Sequence, residues 1–321
     1  MRIGIGIGNG QAIGRPEGLE QLIDEAKRAD ADGFASGWLV NIRALDAMTA
    51  AAVCGQVTSR LELGTAVVPV YSRHPFFMAQ QALSTQAAAG GRFVLGLGLS
   101  HTNVVEGMLG LSRQRAFAFM KDYLGVLRPL IDSGKVEFQG RAFRVSGELG
   151  FPGLAPCPIL LAALGPNMLQ LAGRETAGTI TWAAGLKTLS EYVVPRINQA
   201  AHAAGRPAPR IVAGLAVAVV SDVQQARAAA EQLFERYPRQ PSYRAMLDRE
   251  HVTGIGDIAV VGDEDGVAEQ LQRFGEAGVT DLWALPYPAG PDGPATIDRT
   301  RGLLARLARD GRWSETAVQR P

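Results

Sequence analysis

Eight short apolar runs, each followed by a stretch of helical character, constrain this chain more than any other feature. The runs are "RIGIGIG" (Arg2 to Gly8), "SGWLV" (Ser36 to Val40), "LELGTAVV" (Leu61 to Val68) and "GRFVLGLGLS" (Gly91 to Ser100). They continue with "PILLAAL" (Pro158 to Leu164), "TITWAAG" (Thr179 to Gly185), "IVAGLAVAVV" (Ile211 to Val220) and "DLWALPYP" (Asp281 to Pro288). Such runs suit strands buried on both faces, as a parallel sheet with helical crossovers requires. Amphipathic segments such as "GLEQLIDEAKRADADG" and "GVAEQLQRFGEAG" supply the crossovers. Eight βα units in a chain of 321 residues predict a (β/α)8 TIM barrel, with a doubly wound sheet as the alternative. Asp46 is the expected N-cap of the second helix.

Two stretches break the rhythm. "KVEFQGRAFRV" (Lys135 to Val145) alternates about Gly140 and reads as an inserted β-hairpin. "PSYRAMLDREHVTGIGDIAVV" (Pro241 to Val261) interrupts the last connection and reads as a lid-like insertion. Residues 1–312 are expected to form one domain, followed by a flexible tail over 313–321.

The chain is 47% hydrophobic and its net charge is +1, with no block of like charge. That argues against nucleic acid or a membrane surface as partner. No apolar run is long enough to span a bilayer, and no signal peptide precedes the first strand. The two cysteines, Cys54 and Cys157, have no CxxC spacing and read as core residues in a reducing compartment. A cytoplasmic location is therefore expected. No metal-ligand cluster or G-x-S-x-G elbow is present, which argues against a metal-dependent hydrolase or a serine hydrolase.

The fourth run resembles a dinucleotide-binding loop only in part. Gly96 and Gly98 supply the first two glycines of G-x-G-x-x-G, but position 101 is His. At the first run, Gly6 and Gly8 are followed by Gln11. In a barrel the same glycines end a strand on the face where functional groups gather, and they let a flat ring or phosphate approach the backbone. Ser100, His101, Thr102 and Asn103 then offer donors ahead of a helical turn. A tightly packed strand end is the plainer reading of the same residues.

Several segments together resemble one family. "GTAVVPVYSRHPFFMAQQALSTQAAAGGRFVLGLGLSH", "PILLAALGPNMLQLAGRETAGTITWAAG" and "PSYRAMLDRE…VVGDEDGVAEQL…AGVTDLWA" are similar to the luciferase-like monooxygenase superfamily. Within it they look most like the branch that uses coenzyme F420. The resemblance covers nearly the whole chain. It implies a barrel holding a flavin or deazaflavin at the C-terminal ends of its strands. It also implies a cis peptide supporting the ring, which falls at Ala66–Val67. The cofactor phosphate would lie near Gly98, Leu99, Ser100 and His101, and near Ala163, Leu164, Gly165, Pro166 and Asn167. Arg113 and Arg115 are candidate contacts for an anionic tail, although solvated helix charges are the commoner role of such residues.

The chain departs from the family pattern after the second strand. Dehydrogenases of the F420 branch carry an Asp-His pair there, whereas this chain has Asn41 and Ile42. Asn41 can still hydrogen-bond the deazaflavin ring, but Ile42 cannot move a proton. The departure favours reduction of C=C or C=N over alcohol oxidation. Candidate proton donors are His101, His251 and Tyr71, with Glu106 weaker. His74 reads as a helix cap and His202 as a solvated residue. The resemblance further implies a small-molecule substrate, a homodimer and an external F420 or flavin reductase that recycles the cofactor. Two other readings remain: an FMN-dependent monooxygenase using O2 and externally supplied reduced flavin, and a non-catalytic flavin-binding homologue.

Overall fold

The computed structural model describes residues 1–8, 10, 17–150, 155–290 and 292–310. The expected tail over 313–321 lies outside the described residues. In chain order the first half contains β1 (Arg2–Ile7), α1 (Leu19–Asp32), β2 (Ser36–Leu39), α2 (Ala47–Val57), β3 (Glu62–Thr65), β4 (Val68–Pro69), α3 (Pro75–Ala88), β5 (Phe93–Gly98) and α4 (Ala116–Ser133). There follow β6 (Lys135–Gln139), β7 (Arg144–Glu148), β8 (Ile159–Ala162), α5 (Pro166–Glu175), β9 (Gly178–Trp182), α6 (Leu186–Thr188) and α7 (Val194–Ala203). The last part contains β10 (Arg210–Val219), α8 (Val223–Leu233), α9 (Pro241–Glu250), β11 (Val260–Gly262), α10 (Glu264–Glu276), β12 (Asp281–Pro286) and α11 (Gly293–Arg309).

Parallel pairing runs β1–β2–β3–β5–β8–β9–β10–β12 and returns to β1, so eight strands close into a barrel with helices around it. Every apolar run of the sequence supplies one of these strands. Closure removes sheet edges, and the crossovers cover the outer face with apolar helix surfaces. The doubly wound alternative is excluded by the β1–β12 pairing, Arg2 opposite Asp281 through Ile5 opposite Ala284.

Inside the barrel, bulky and vacant positions alternate. The Trp38 ring lies where a side chain on Gly64 would sit, and the Trp283 ring does the same at Gly214. Trp38 Nε1 donates to Ser36 Oγ at 2.9 Å, which satisfies a buried indole. The N-terminal end of the barrel is closed by charge. Arg2 and Arg210 share Asp281 and Glu62, with Arg210 2.7 Å from Asp281 and 2.8 Å from Glu62. The Asp281 side chain is only 2% exposed. Burial would raise its pKa, but Arg210, Arg2 and the Thr280 hydroxyl outweigh that and hold it below the ordinary value.

Both interruptions have regular structure. The hairpin pairs β6 with β7 antiparallel, Lys135 opposite Glu148 through Gln139 opposite Arg144. Its turn is held by the Asp122 carboxylate, which accepts from the backbone of Arg141 and Ala142. The late insertion forms α9 and the short β11, which extends the sheet beside the end of β10. The sequence reading treated this segment as a lid alone and missed the strand. No helix among the described residues is long and apolar enough to cross a membrane.

Candidate functional site

The C-terminal strand ends form a rim built around the β3–β5 junction. The Ala66–Val67 peptide is cis, as the resemblance implies. It separates β3 from β4 and leaves Ala66 and Val67 partly exposed. Across this break Thr65 replaces a stretch of regular ladder. Its hydroxyl donates to the Gly96 carbonyl and accepts from the Gly96 N–H, both at 2.9 Å. Val70 N–H then restores pairing by donating to the Gly98 carbonyl at 3.0 Å.

The strand glycines therefore have a packing role. A Cβ on Gly96 would overlap the Thr65 carbonyl oxygen. A Cβ on Gly98 would stand 2.6 Å from Val67 Cγ2 and 3.4 Å from the Ala162 Cβ. The space the sequence reading reserved for a ring or phosphate at these two Cβ positions is occupied by the neighbouring strands. The consequence is a floor in which Val67, in the β3–β4 break, lies beside Gly98 at the end of β5, which in turn lies beside Ala162 at the end of β8.

Beyond that floor, Leu99, Ser100 and His101 are half-buried. Ser100 has φ 57°, a left-handed conformation that a non-glycine residue rarely adopts. Ala183, just past β9, has φ 46°. Such backbone is concentrated at functional sites. The chain after His101 forms a π-helical turn, Asn103–Met108, where an ordinary helical turn was expected. After β8, Ala163 is buried, Leu164 and Gly165 are half-buried, and Pro166 and Asn167 are exposed. Gly165 is the N-cap of α5, and no side chain caps that helix. The space a Cβ on Gly165 would face is open. Pro166 opens α5 without an N–H, so the N–H groups of Asn167 and Met168, uncapped by any side chain, are the ones that suit an anionic group.

The remaining candidates separate clearly. Asn41 Oδ1 accepts from Ala47 N at 3.0 Å, so the start of α2 already draws on its carbonyl, and its amide NH2 is the group suited to donate to a ligand. Ile42 is 40% exposed. Asp46 caps α2 through Thr49 N, and His74 Nδ1 caps α3 by accepting from Phe76 N at 3.3 Å. His202 is exposed on α7. His251 is exposed at the C-terminal end of α9, with Nε2 2.9 Å from Lys187 Nζ. That pairing directs it to the surface.

His101 is different. Burial pushes its pKa down, and the nearby Arg113 and Arg236 guanidinium groups push the same way. Its ring centroid is 6.2 Å from that of Tyr243 on α9, and Tyr243 is 4.9 Å from Tyr237. Tyr237 in turn lies 6.0 Å from Trp182 at the end of β9. Tyr71 stacks on Phe119 at 4.5 Å between centroids. The sequence reading missed Tyr237, Tyr243 and Arg236. Tyr243 lies in the late insertion, and Arg236 and Tyr237 lie in the stretch just before it.

The family model for luciferase-like monooxygenases matches residues 1–281. The chain belongs to the luciferase-like monooxygenase family. Among its relatives in this family, the 5,10-methylenetetrahydromethanopterin reductase of Methanolobus tindarius is 29% identical over 297 residues, 83% of this chain and 90% of the relative. Two solved structures share the fold. The coenzyme F420 dependent tetrahydromethanopterin reductase of Methanopyrus kandleri superposes with a TM-score of 0.76 at 20% identity, covering 94% of this chain and 97% of the other. The oxygenating constituent of 3,6-diketocamphane monooxygenase from Pseudomonas putida, in complex with FMN, superposes with a TM-score of 0.74 at 18% identity, covering 95% and 97%. The same fold thus serves an F420-dependent protein and an FMN-bound one, and both cover nearly the full length of this barrel.

Proposed function

We propose that this chain is an F420-dependent oxidoreductase that passes a hydride between the deazaflavin and a small organic substrate, in the direction that reduces C=C or C=N. One observation carries the reading: Val67, Gly98 and Ala162 pack together at the strand ends, and the β8 strand that carries Ala162 leads directly into the uncapped start of α5. That pairing fits a planar ring joined to an anionic tail. The ring rests on Ala66, Val67 and Gly98, with the Asn41 amide NH2 at its edge. Leu99, Ser100 and His101 border one side of the tail, and Ala163 to Asn167 border the other. The bound deazaflavin supplies hydride chemistry, and the protein supplies orientation and a partly dry site.

The chain's own residues then handle the proton. Asn41 and Ile42 offer no acid or base. His101 is a half-buried titratable group at the rim, and burial together with the nearby Arg113 and Arg236 pushes its pKa down. It donates through a ring N–H or passes a proton from water. Tyr71 is the second candidate, although burial raises its pKa with Arg113 opposing and Glu106 adding to the rise. His251 is not assigned a role in the chemistry.

Parallel titrations with F420 and FMN, each oxidised and reduced, test the reading by fluorescence and calorimetry. Selective F420 binding, followed by anaerobic oxidation of reduced F420 in the presence of an unsaturated substrate, is the expected outcome. Selective binding of reduced FMN with O2 consumption would replace it with the monooxygenase reading. Tight binding without turnover on a broad panel would replace it with a non-catalytic flavin-binding role.

A further inference from the structure

The inserted hairpin has a strand edge with no partner. Within the β6–β7 pairing, Gly140 N–H donates to the Phe143 carbonyl at 2.9 Å and Leu149 N–H donates to the Gly134 carbonyl at 2.7 Å. Hydrogen-bonded and non-hydrogen-bonded pairs alternate along an antiparallel ladder. Counted between those two bonds, Val145 and Gly147 turn their backbone groups to β6, and Arg144, Ser146 and Glu148 turn theirs outward. Among the described residues nothing pairs with these outward groups. Such a row of N–H and C=O groups is a template for another strand.

The hairpin is fixed to the barrel, so the edge is presented in one orientation. The Phe138 ring fills the space beside Gly125 on α4, and Gly147 lies against Phe76 on the first turn of α3. A strand added to β7 extends the sheet toward this turn. There Phe77 is 62% exposed, more than any other large apolar side chain among the described residues. Arg144, Ser146 and Glu148 alternate with the inward Val145 and Gly147, so their exposed side chains share the outer face. Their order is cation, neutral, anion. Glu148 reaches Lys135 at 3.1 Å across the hairpin, whereas Arg144 stands opposite Gln139 and has no ion pair among the described residues.

We propose that the β7 edge is an interface for a second copy of this chain, paired antiparallel about a two-fold axis through Ser146. In that register Arg144 of each copy stands opposite Glu148 of the other, and Ser146 stands opposite itself. Every outward N–H and C=O of the strand finds a partner, and both cross-strand charge pairs are attractive. Any other in-phase register leaves outward groups unpaired and sets Arg144 or Glu148 against Ser146. The β6 edge lacks this self-complementarity: its outward residues are Lys135, Glu137 and Gln139, and a two-fold axis there sets Glu137 against itself. The two-fold contact also closes, whereas β7 on β6 of another copy would propagate. One short strand pair buries less than the roughly 1,200 Å² of a stable complex, so the contact is weak and reversible on its own. It is independent of the cofactor and of the hydride-transfer reading.

A covalent trap tests it on the full chain. Residues opposite each other at hydrogen-bonded positions have Cα atoms about 5.5 Å apart, within disulfide reach. Cys54 and Cys157 are buried, so Ser146→Cys adds the one exposed thiol. Under mild oxidation Ser146→Cys is expected to form a linked dimer about tenfold or more faster than Glu137→Cys, the matching thiol on the β6 edge. Adding Arg144→Glu or Glu148→Arg to Ser146→Cys places like charges opposite each other and slows linking about tenfold or more. Mixing these two double variants restores the rate, with the mixed dimer in excess of either homodimer by mass spectrometry, which also shows that both are folded. Ser146→Cys linking no faster than Glu137→Cys, charge variants linking as fast as their parent, or a mixture that stays slow overturns the proposal. Faster linking of Ser146→Cys to Glu137→Cys than to itself also overturns it, by giving the edge to β6 of another copy.

Discussion

Gly96→Ala and Gly98→Ala separate the two ways this junction holds together. At Gly96 the added methyl meets the Thr65 carbonyl oxygen, a backbone atom with no rotamer to change. The two Thr65–Gly96 hydrogen bonds, both buried at 2.9 Å, are strained with it. Overpacking of this kind costs about 1–3 kcal/mol and each weakened hydrogen bond about 1 kcal/mol, so the expected loss is about 3–5 kcal/mol. At about 2–3 °C per kcal/mol for a chain of this size, Tm falls by about 6–15 °C. At Gly98 the methyl meets Val67 Cγ2 at 2.6 Å, a side-chain atom at a partly exposed position that can rotate away. The expected stability loss is about 1 kcal/mol or less, but the floor becomes uneven and F420 affinity falls by about tenfold. Calorimetric melting and F420 titration on both variants read the two quantities separately. A Gly96→Ala protein that melts like the wild type would refute the packing account. A Gly98→Ala protein that is destabilised but binds F420 normally would refute the floor.

The barrel's charged end gives a pH signature. The Asp281 pKa is held below its ordinary value, so its contribution to stability is present above about pH 4 and is lost as pH falls through the folded-state value. Asp281→Asn is expected to cost about 3 kcal/mol at pH 7 and to flatten the acid limb of a urea-stability profile; an unchanged acid limb would show that another carboxylate controls it. His101, whose folded pKa is lowered, contributes stability above about pH 6.5 that is lost as pH falls toward its folded value. NMR titration is expected to find it below 6.5 and to find it higher in Arg113→Met; the same value in both proteins would separate Arg113 from His101. Burial pushes Cys54 up to about 11, with Glu25 adding to the rise, and pushes Cys157 up to about 12. Thiolate populations that low predict alkylation at pH 8 more than about a hundredfold slower than for a free thiol, and rapid labelling of the native protein would contradict their burial.

Which parts of this site were legible follows from how far apart in sequence their determinants lie. A strand buried on both faces must be apolar throughout, so each of the eight barrel strands left a local run, and amphipathic helices such as α1 and α10 left their period, whereas the more uniformly apolar α2 and α3 did not. β11 left almost nothing, because Val260–Gly262 is three residues at the edge of an insertion and pairs only with the end of β10. Caps are equally local: Asp46 and His74 bind N–H groups two or three residues away, so position alone exposed their roles. The floor is not local. Gly96 and Gly98 were visible as small residues at a strand end, but whether a ligand or the protein fills their missing side chains depends on Thr65 and Val67 of the neighbouring strand. Asn41 shows the same limit. Its type suits a ring contact, yet its carbonyl is committed to Ala47 N by the turn into α2. The surroundings of His101 lie furthest from sequence reach. Arg113 follows β5, while Arg236 and Tyr243 belong to the stretch after β10, and only barrel closure brings both stretches to His101. His251 and Tyr243 sit in one insertion, and the fold turns Tyr243 inward while the left-handed residue at the end of α9 sends His251 to Lys187. The choice between them was fixed by a helix phase set through packing. A tyrosine in such an insertion is therefore a better marker of a barrel mouth than a histidine chosen for its chemistry, because burying its ring requires a wall and exposing it has no compensating gain.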